Sequence, residues 1–185
     1  MNWILPGTVL SIDAERDDAV EDVISAMFLT GGLVLSQVTQ VTGLEPYIVQ
    51  NWVRRGFLSA PQQRKYTRTQ FSRILLINTL KNALSIEQIC RLLQHINGEL
   101  DNEADDTIDD AQLYGTFVAL ARQVTREGYP QADAMEQLLD RYLADYTEPM
   151  PGAKARIADV LRIMVAAWRS AQLQAEAQRL IRGLS

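Results

Sequence analysis

Apolar residues set the first divisions of the chain. Between Asp13 and Leu29, Val20, Val23, Ile24, Met27 and Phe28 recur at spacings of three and four, which predicts a helix ended by Gly31-Gly32. The preceding stretch, Met1 to Ile12, is apolar with a Pro6-Gly7 break and no clear period. Ser36 suits the N-cap of a short helix through Val41, and Gly43 breaks it. Pro46 fits the first turn of the next helix, which runs to about Arg55 and stops at Gly56. Phe57 to Tyr66 reads as a turn or small β-hairpin. Thr67 caps a helix to Lys81 and Ser85 another to Ile96, the latter with Gln88 in a capping-box position. Three further helices are expected at about Ala111–Glu127, Ala132–Tyr146 and Ala153–Arg182, the middle one ended by Pro149 and Pro151.

The expected fold is therefore mainly α, with one small β element. The divisions are an N-terminal helical arm (1–32), a helix-turn-helix unit with its hairpin (33–98), an acidic linker (99–110) and a C-terminal helical bundle (111–185). Apolar residues make up 47% of 185 residues, enough for a buried core. Cys90 is the single cysteine, which excludes an intrachain disulfide and fits a reducing, cytoplasmic setting. No apolar run approaches the roughly 18 residues that span a bilayer, and no secretion signal is evident, so no membrane partner is expected.

Charge changes the picture more. The net charge is −5, which argues against general affinity for nucleic acid. Yet Pro46 to Ile86 contains no acidic residue, while it holds Arg54, Arg55, Arg64, Lys65, Arg68, Arg73 and Lys81. The acid gathers instead at Asp13–Asp22 and Glu99–Asp110. A local basic patch on an acidic chain is the footprint of a polyanion partner.

Within that patch, Tyr47, Gln50, Asn51 and Arg54 share one face of the helix that starts at Pro46, and Ile48, Val49, Trp52 and Val53 fill the other. Gln and Asn can bond an adenine edge in bidentate fashion and Arg a guanine edge, so the face has major-groove chemistry. Any solvated helix shows the same spacing, and Trp52 reads as core among its aliphatic neighbours. The stretch Arg64-Lys65-Tyr66-Thr67-Arg68 adds a basic segment with an aromatic next to this helix. A wing there would lay Arg55, Arg64, Lys65, Tyr66 and Arg68 along a phosphate row, with Arg73 extending it from the following helix.

These residues resemble the MerR family of transcription regulators. The similarity runs through Val38-Thr39-Gln40-Val41-Thr42-Gly43-Leu44-Glu45-Pro46, Trp52-Val53-Arg54-Arg55-Gly56-Phe57-Leu58 and Lys65-Tyr66-Thr67, and returns at Ala83-Leu84-Ser85-Ile86-Glu87-Gln88-Ile89. More closely, Gly31 to about Phe117 is similar to an uncharacterised bacterial family of unknown function with a MerR-like fold. The resemblance implies a MerR-like winged helix-turn-helix, double-stranded DNA as partner and a homodimer. The chain departs from the pattern in three ways. Gln50 and Asn51 stand where the family usually carries Arg and Tyr, the segment Ser59–Lys65 is short, and both the cysteine cluster of metal sensors and the long helix directly after the reading head are missing. DNA binding thus carries over, whereas an effector and promoter-twisting activation do not.

The acidic run fails as an EF-hand: counted from Asp101, the sixth and twelfth positions hold Asp106 and Gln112 where Gly and Glu are needed. No metal or cofactor is expected. The run reads as a solvated linker, as charge favouring the start of the next helix, or as a contact with the basic reading head. In the last helix Ile157, Leu161, Met164, Trp168, Ala171 and Ala175 form a heptad-like seam, to be packed against the neighbouring helices or against a second copy. No nucleophile motif or Gly-rich phosphate loop is present, and the isolated His95 and Cys90 carry no catalytic pattern, so an enzyme is not expected. The rival to a DNA-binding regulator is a protein-interaction module that uses the same scaffold.

Overall fold

The computed structural model describes residues 2–13, 15–16, 19–98 and 106–184. Its architecture is mainly helical. The chain opens with an antiparallel hairpin, β1 (Asn2–Ile4) and β2 (Ser11–Asp13), followed by α1 (Ala19–Phe28). Next come β3 (Leu33–Val34), α2 (Leu35–Thr42), α3 (Pro46–Arg54), β4 (Lys65–Tyr66), α4 (Arg68–Leu80) and α5 (Ile86–Asn97). After the acidic run, α6 (Asp110–Glu127), α7 (Ala132–Tyr142) and α8 (Ala153–Arg182) complete the fold. Among the described residues no helix is long and apolar enough to cross a membrane.

Side-chain caps set several of these boundaries. The Thr67 hydroxyl accepts from the Gln70 N–H at 3.1 Å while the Gln70 side chain accepts from the Thr67 N–H at 2.9 Å. Ser85 and Gln88 repeat this reciprocal pair at α5. The start of α2 differs from the sequence expectation. Ser36 lies inside the first turn, and the extended residue before the helix is Val34, whose N–H donates to the Gln37 side chain at 2.9 Å. A glutamine at the third helical position closes the turn without a hydroxyl cap.

The N-terminal segment also departs from the expectation of a helical arm. Gly7 turns the β1–β2 connection at φ +77°, so close to α4 that a Cβ there would collide with the Leu75 carbonyl oxygen. Asn78 of α4 donates to the carbonyls of Gly7 at 2.8 Å and Thr42 at 3.0 Å, and Tyr114 of α6 donates to that of Pro6 at 2.7 Å. Trp3, Leu5 and Ile12 join the core. Three-residue strands fall below the length at which alternation is legible, and the turn that joins them is held by distant helices.

α4 is the hub. Nearly every side chain from Gln70 to Leu80 is buried, and the helix packs against α2, α5, α6 and α8. The buried apolar residues form one continuous cluster that runs from Trp3 to Trp168, with Phe117 and Trp168 edge to face at 6.3 Å. The helices beyond residue 110 therefore share a core with those before 98.

The end of the acidic run is structural. Asn97 donates to the Ile108 carbonyl at 2.7 Å and accepts from the N–H groups of Thr107 and Ile108 at 3.2 Å, which fastens the returning chain to the end of α5. Asp109 caps α6, accepting from the Ala111 and Gln112 N–H groups. Asp110 is buried and pairs with Arg73 at 2.5 Å. For these two positions the linker expectation is corrected: each has a partner that water would otherwise supply. Asp101, Glu103 and Asp105 lie outside the described residues.

Candidate functional site

α2 ends at Gly43, whose φ of +69° lets its N–H bond back to the Thr39 carbonyl at 2.9 Å. A short turn at 43–45 leads to Pro46 in the first turn of α3. Val49 and Trp52 anchor α3 to the core, with Ile48 and Val53 partly buried beside them. The opposite face is solvent-facing: Tyr47 is 68% exposed, and Gln50 and Arg54 are exposed beside it. Asn51 is half-buried, and its carbonyl oxygen accepts from the Arg54 guanidinium at 2.6 Å. That bond orients both side chains on the same face.

The segment after α3 forms a small hairpin. Gln62 bridges to Lys65, with the Lys65 N–H donating to the Gln62 carbonyl at 2.8 Å. The two tip residues, Gln63 and Arg64, have φ of +47° and +66°. Positive φ at both central residues is the pattern of a type I′ turn, which glycine and asparagine ordinarily supply. β4 then pairs with β3, Leu33 opposite Tyr66 and Val34 opposite Lys65. The buried Gln70 amide donates to the Ser59 hydroxyl at 2.8 Å and the Ala60 carbonyl at 2.9 Å, tying the hairpin base to α4. A strained tip is thus held on a fixed base.

Between α3 and this hairpin lies a cleft of about 380 Å³ lined by Leu35, Gln50, Val53, Pro61, Arg64 and Tyr66. It places Gln50 of the helix and Arg64 of the hairpin on one surface, though they are distant in the chain. Lys65 follows Arg64 in the hairpin and is exposed but does not line this cleft; its ammonium donates to the Thr30 carbonyl at 3.1 Å.

The other basic residues of this window have different fates. The Arg55 guanidinium sits 4.5 Å over the Phe57 ring and pairs with Glu87 of α5 at 3.2 Å. Arg68 is bidentate to Glu21 of α1, at 2.6 and 3.0 Å. That contact holds the Glu21 carboxyl below its ordinary range and raises the Arg68 guanidinium. Glu87 is also held low, first by its own backbone N–H, then by the Ser85 hydroxyl and by Arg55.

Two expected phosphate ligands are corrected. Tyr66 is 3% exposed, its side chain turned into the core, and burial pushes its phenol pKa up. The single-residue alternation along β4 sends Lys65 outward and Tyr66 inward. Arg73 is 3% exposed and paired with Asp110. It belongs to a helix buried on all sides, so its charge is answered from within. Sequence reasoning also missed Gln62 and Gln63, which stand exposed at the hairpin with Arg64. Their only signal was proximity to the basic stretch. Cys90 is buried, with its thiol pKa raised by burial, and His95 is exposed.

The class defined by this geometry is a mainly helical protein that presents a polar helix face beside a basic hairpin. Residues 20–117 match the family described as a domain of unknown function, DUF1836, and the chain belongs to that family. No curated protein matches the chain. No solved structure matches it either.

Proposed function

We propose that the chain is a sequence-specific DNA-binding transcriptional regulator, whose α2–α3 pair and hairpin act as a MerR-like winged helix-turn-helix. α3 enters a major groove, where Gln50 and Asn51 meet adenine edges and Arg54 a guanine, each good pair contributing about 1–3 kcal/mol of discrimination. The hairpin tip lays Arg64 and Lys65 on the adjoining phosphates. Arg55 and Arg68 flank the site with their charge partly answered by carboxylates.

The observation that carries this reading is the cleft shared by Gln50 and Arg64. A solvated helix face needs no cation held opposite it. A non-glycine residue in the left-handed region costs about 1–2 kcal/mol, and such strain gathers where a side chain must be aimed. Arg64 at φ +66° meets that description.

Fluorescence anisotropy with labelled random duplex DNA tests the proposal. Binding is expected at about 50 mM salt and should fall steeply by about 200 mM as counterions compete for the phosphates. Replacing Arg64 and Lys65 with Ala should lower the log–log salt slope by about two, near one per lost phosphate contact. Absence of binding at the lower salt, or an unaltered slope in the variant, would refute it.

One observation favours the alternative of a protein-interaction module. The distal part of α8 exposes Leu173, Leu180 and Ile181. On that reading random duplex would not bind at either salt.

A further inference from the structure

The β1–β2 hairpin, the end of α4 and one face of α8 border an open groove of about 460 Å³. α8 contributes Trp168, Ala171, Gln172 and Ala175, which recur at helical spacing. Small side chains make the room: the two alanines share the lining with Gly7 and Thr8 of the hairpin turn. The volume falls within the roughly 300–1,000 Å³ of small-molecule sites. The groove shares no lining residue with the cleft between α3 and its hairpin.

Its polar groups are one-sided. Lys81 supplies a cation, and Asn82 and Gln172 supply amides. No Asp or Glu lines the groove, in a chain that holds 23 of them. None of these three side chains has a hydrogen-bond or ion-pair partner among the described residues. Lys81 is exposed, yet its neighbours displace enough water to lower its ammonium pKa. A cation just past α4 also suits the negative end of that helix dipole, so charge alone does not mark the place. The wall adds an independent sign. Trp168 is only 5% exposed, and its indole N–H meets no acceptor among the described residues. A buried indole N–H ordinarily finds one. The rest of the wall is apolar, with Leu5 buried and Ile4 55% exposed.

We propose that this groove binds a small amphiphilic carboxylate, its head at Lys81 and the neighbouring donors and its apolar body along Ile4 and the alanines. A carboxylate accepts several hydrogen bonds at once and answers the ammonium. The apolar body covers surface that Ile4 now leaves in water. A neutral ligand leaves the ammonium unanswered, and a cationic one is repelled by it. The site stands on the hairpin, α4 and α8 and does not depend on the DNA reading.

Heteronuclear NMR of the full chain with hydrocinnamate as the probe tests the site. The chain has three tryptophans, and Trp168→Phe identifies the Trp168 indole N–H signal by its loss. That signal should move on titration, with a Kd of about 1 mM or tighter. Hydrocinnamide, the same body without the charge, should bind about tenfold more weakly, and phenylpropylamine should not compete with the acid. Lys81→Met should weaken binding about tenfold. Ala175→Leu, which fills the groove, should abolish it. Both replace exposed side chains, so the melting temperature should hold. A Trp168 signal unmoved by about 10 mM hydrocinnamate would overturn the proposal. So would equal affinity for acid and amide, or undiminished binding by either variant.

Discussion

α3 and α4 are near neighbours in the chain, both carry arginine, and both lie in the window without acid. Their environments are opposite. α3 rests on the core by one side only, through Val49 and Trp52, and turns Gln50 and Arg54 to solvent. α4 is enclosed on all sides, so Arg73 is desolvated and must be answered by Asp110. The lesson is that a basic run is not one surface. A cation on a helix with a single buried face is available to a polyanion, while one on a central helix is part of the packing.

The largest effect should come from the enclosed helix. Asp110→Ala leaves a buried guanidinium without its carboxylate and should destabilise the fold by about 3–5 kcal/mol in urea titration. Replacing both partners by apolar residues of similar volume, Arg73→Met with Asp110→Leu, should recover most of that loss. If Asp110→Ala leaves the unfolding midpoint unmoved, Arg73 is not structural and the contrast between the two helices fails.

The exposed face should behave in reverse. Arg54→Ala, Arg64→Ala and Lys65→Ala together should reduce DNA affinity about a hundredfold or more at low salt, with the unfolding midpoint unaltered within about 0.5 kcal/mol. A shared loss of stability and binding would mean that these side chains hold the fold rather than meet DNA.

A sharper separation lies at the hairpin tip. Arg64→Gly relieves the left-handed backbone and should stabilise the chain by up to about 1 kcal/mol, less whatever the more flexible unfolded chain takes back. The same change should weaken DNA binding several-fold. Opposite signs in thermal melting and anisotropy are the expected outcome.

The smallest effect concerns the flanking pair. Glu21 has its carboxyl pKa lowered by Arg68, from an ordinary value of 4.5. A lowered folded-state value means the contact contributes above the unfolded pKa and is lost as pH falls through the folded one. Glu21→Gln should therefore flatten stability slightly between neutral pH and the region below 4.5, by no more than a few tenths of a kcal/mol for so exposed a pair. It should also raise DNA affinity modestly by freeing Arg68.

Much of the fold was legible in the sequence where the determinants are local. The helix starts at Thr67 and Ser85 follow from hydroxyls and glutamines three residues apart. α3 follows from Pro46, a stripe of aliphatics and the glycine beyond it, and its polar face from 3.6-residue periodicity. α8 was located at its observed bounds by Pro151 and the run of strong helix formers that ends at Gly183. The cationic tip at Arg64 and Lys65 was visible as composition.

Tertiary structure decided whatever depends on residues far apart in the chain. β1 and β2 exist because α4 and α6 hold the turn between them, and β4 finds β3 across the whole α2–α3 unit. The inward turn of Tyr66 follows from that pairing. The burial of Arg73 follows from α6 arriving with Asp110. That the α8 seam at Ile157, Leu161, Met164 and Trp168 is used internally depends on how α5, α6 and α7 dock. Periodicity marks a face as apolar from one chain segment alone; only packing determines what covers it.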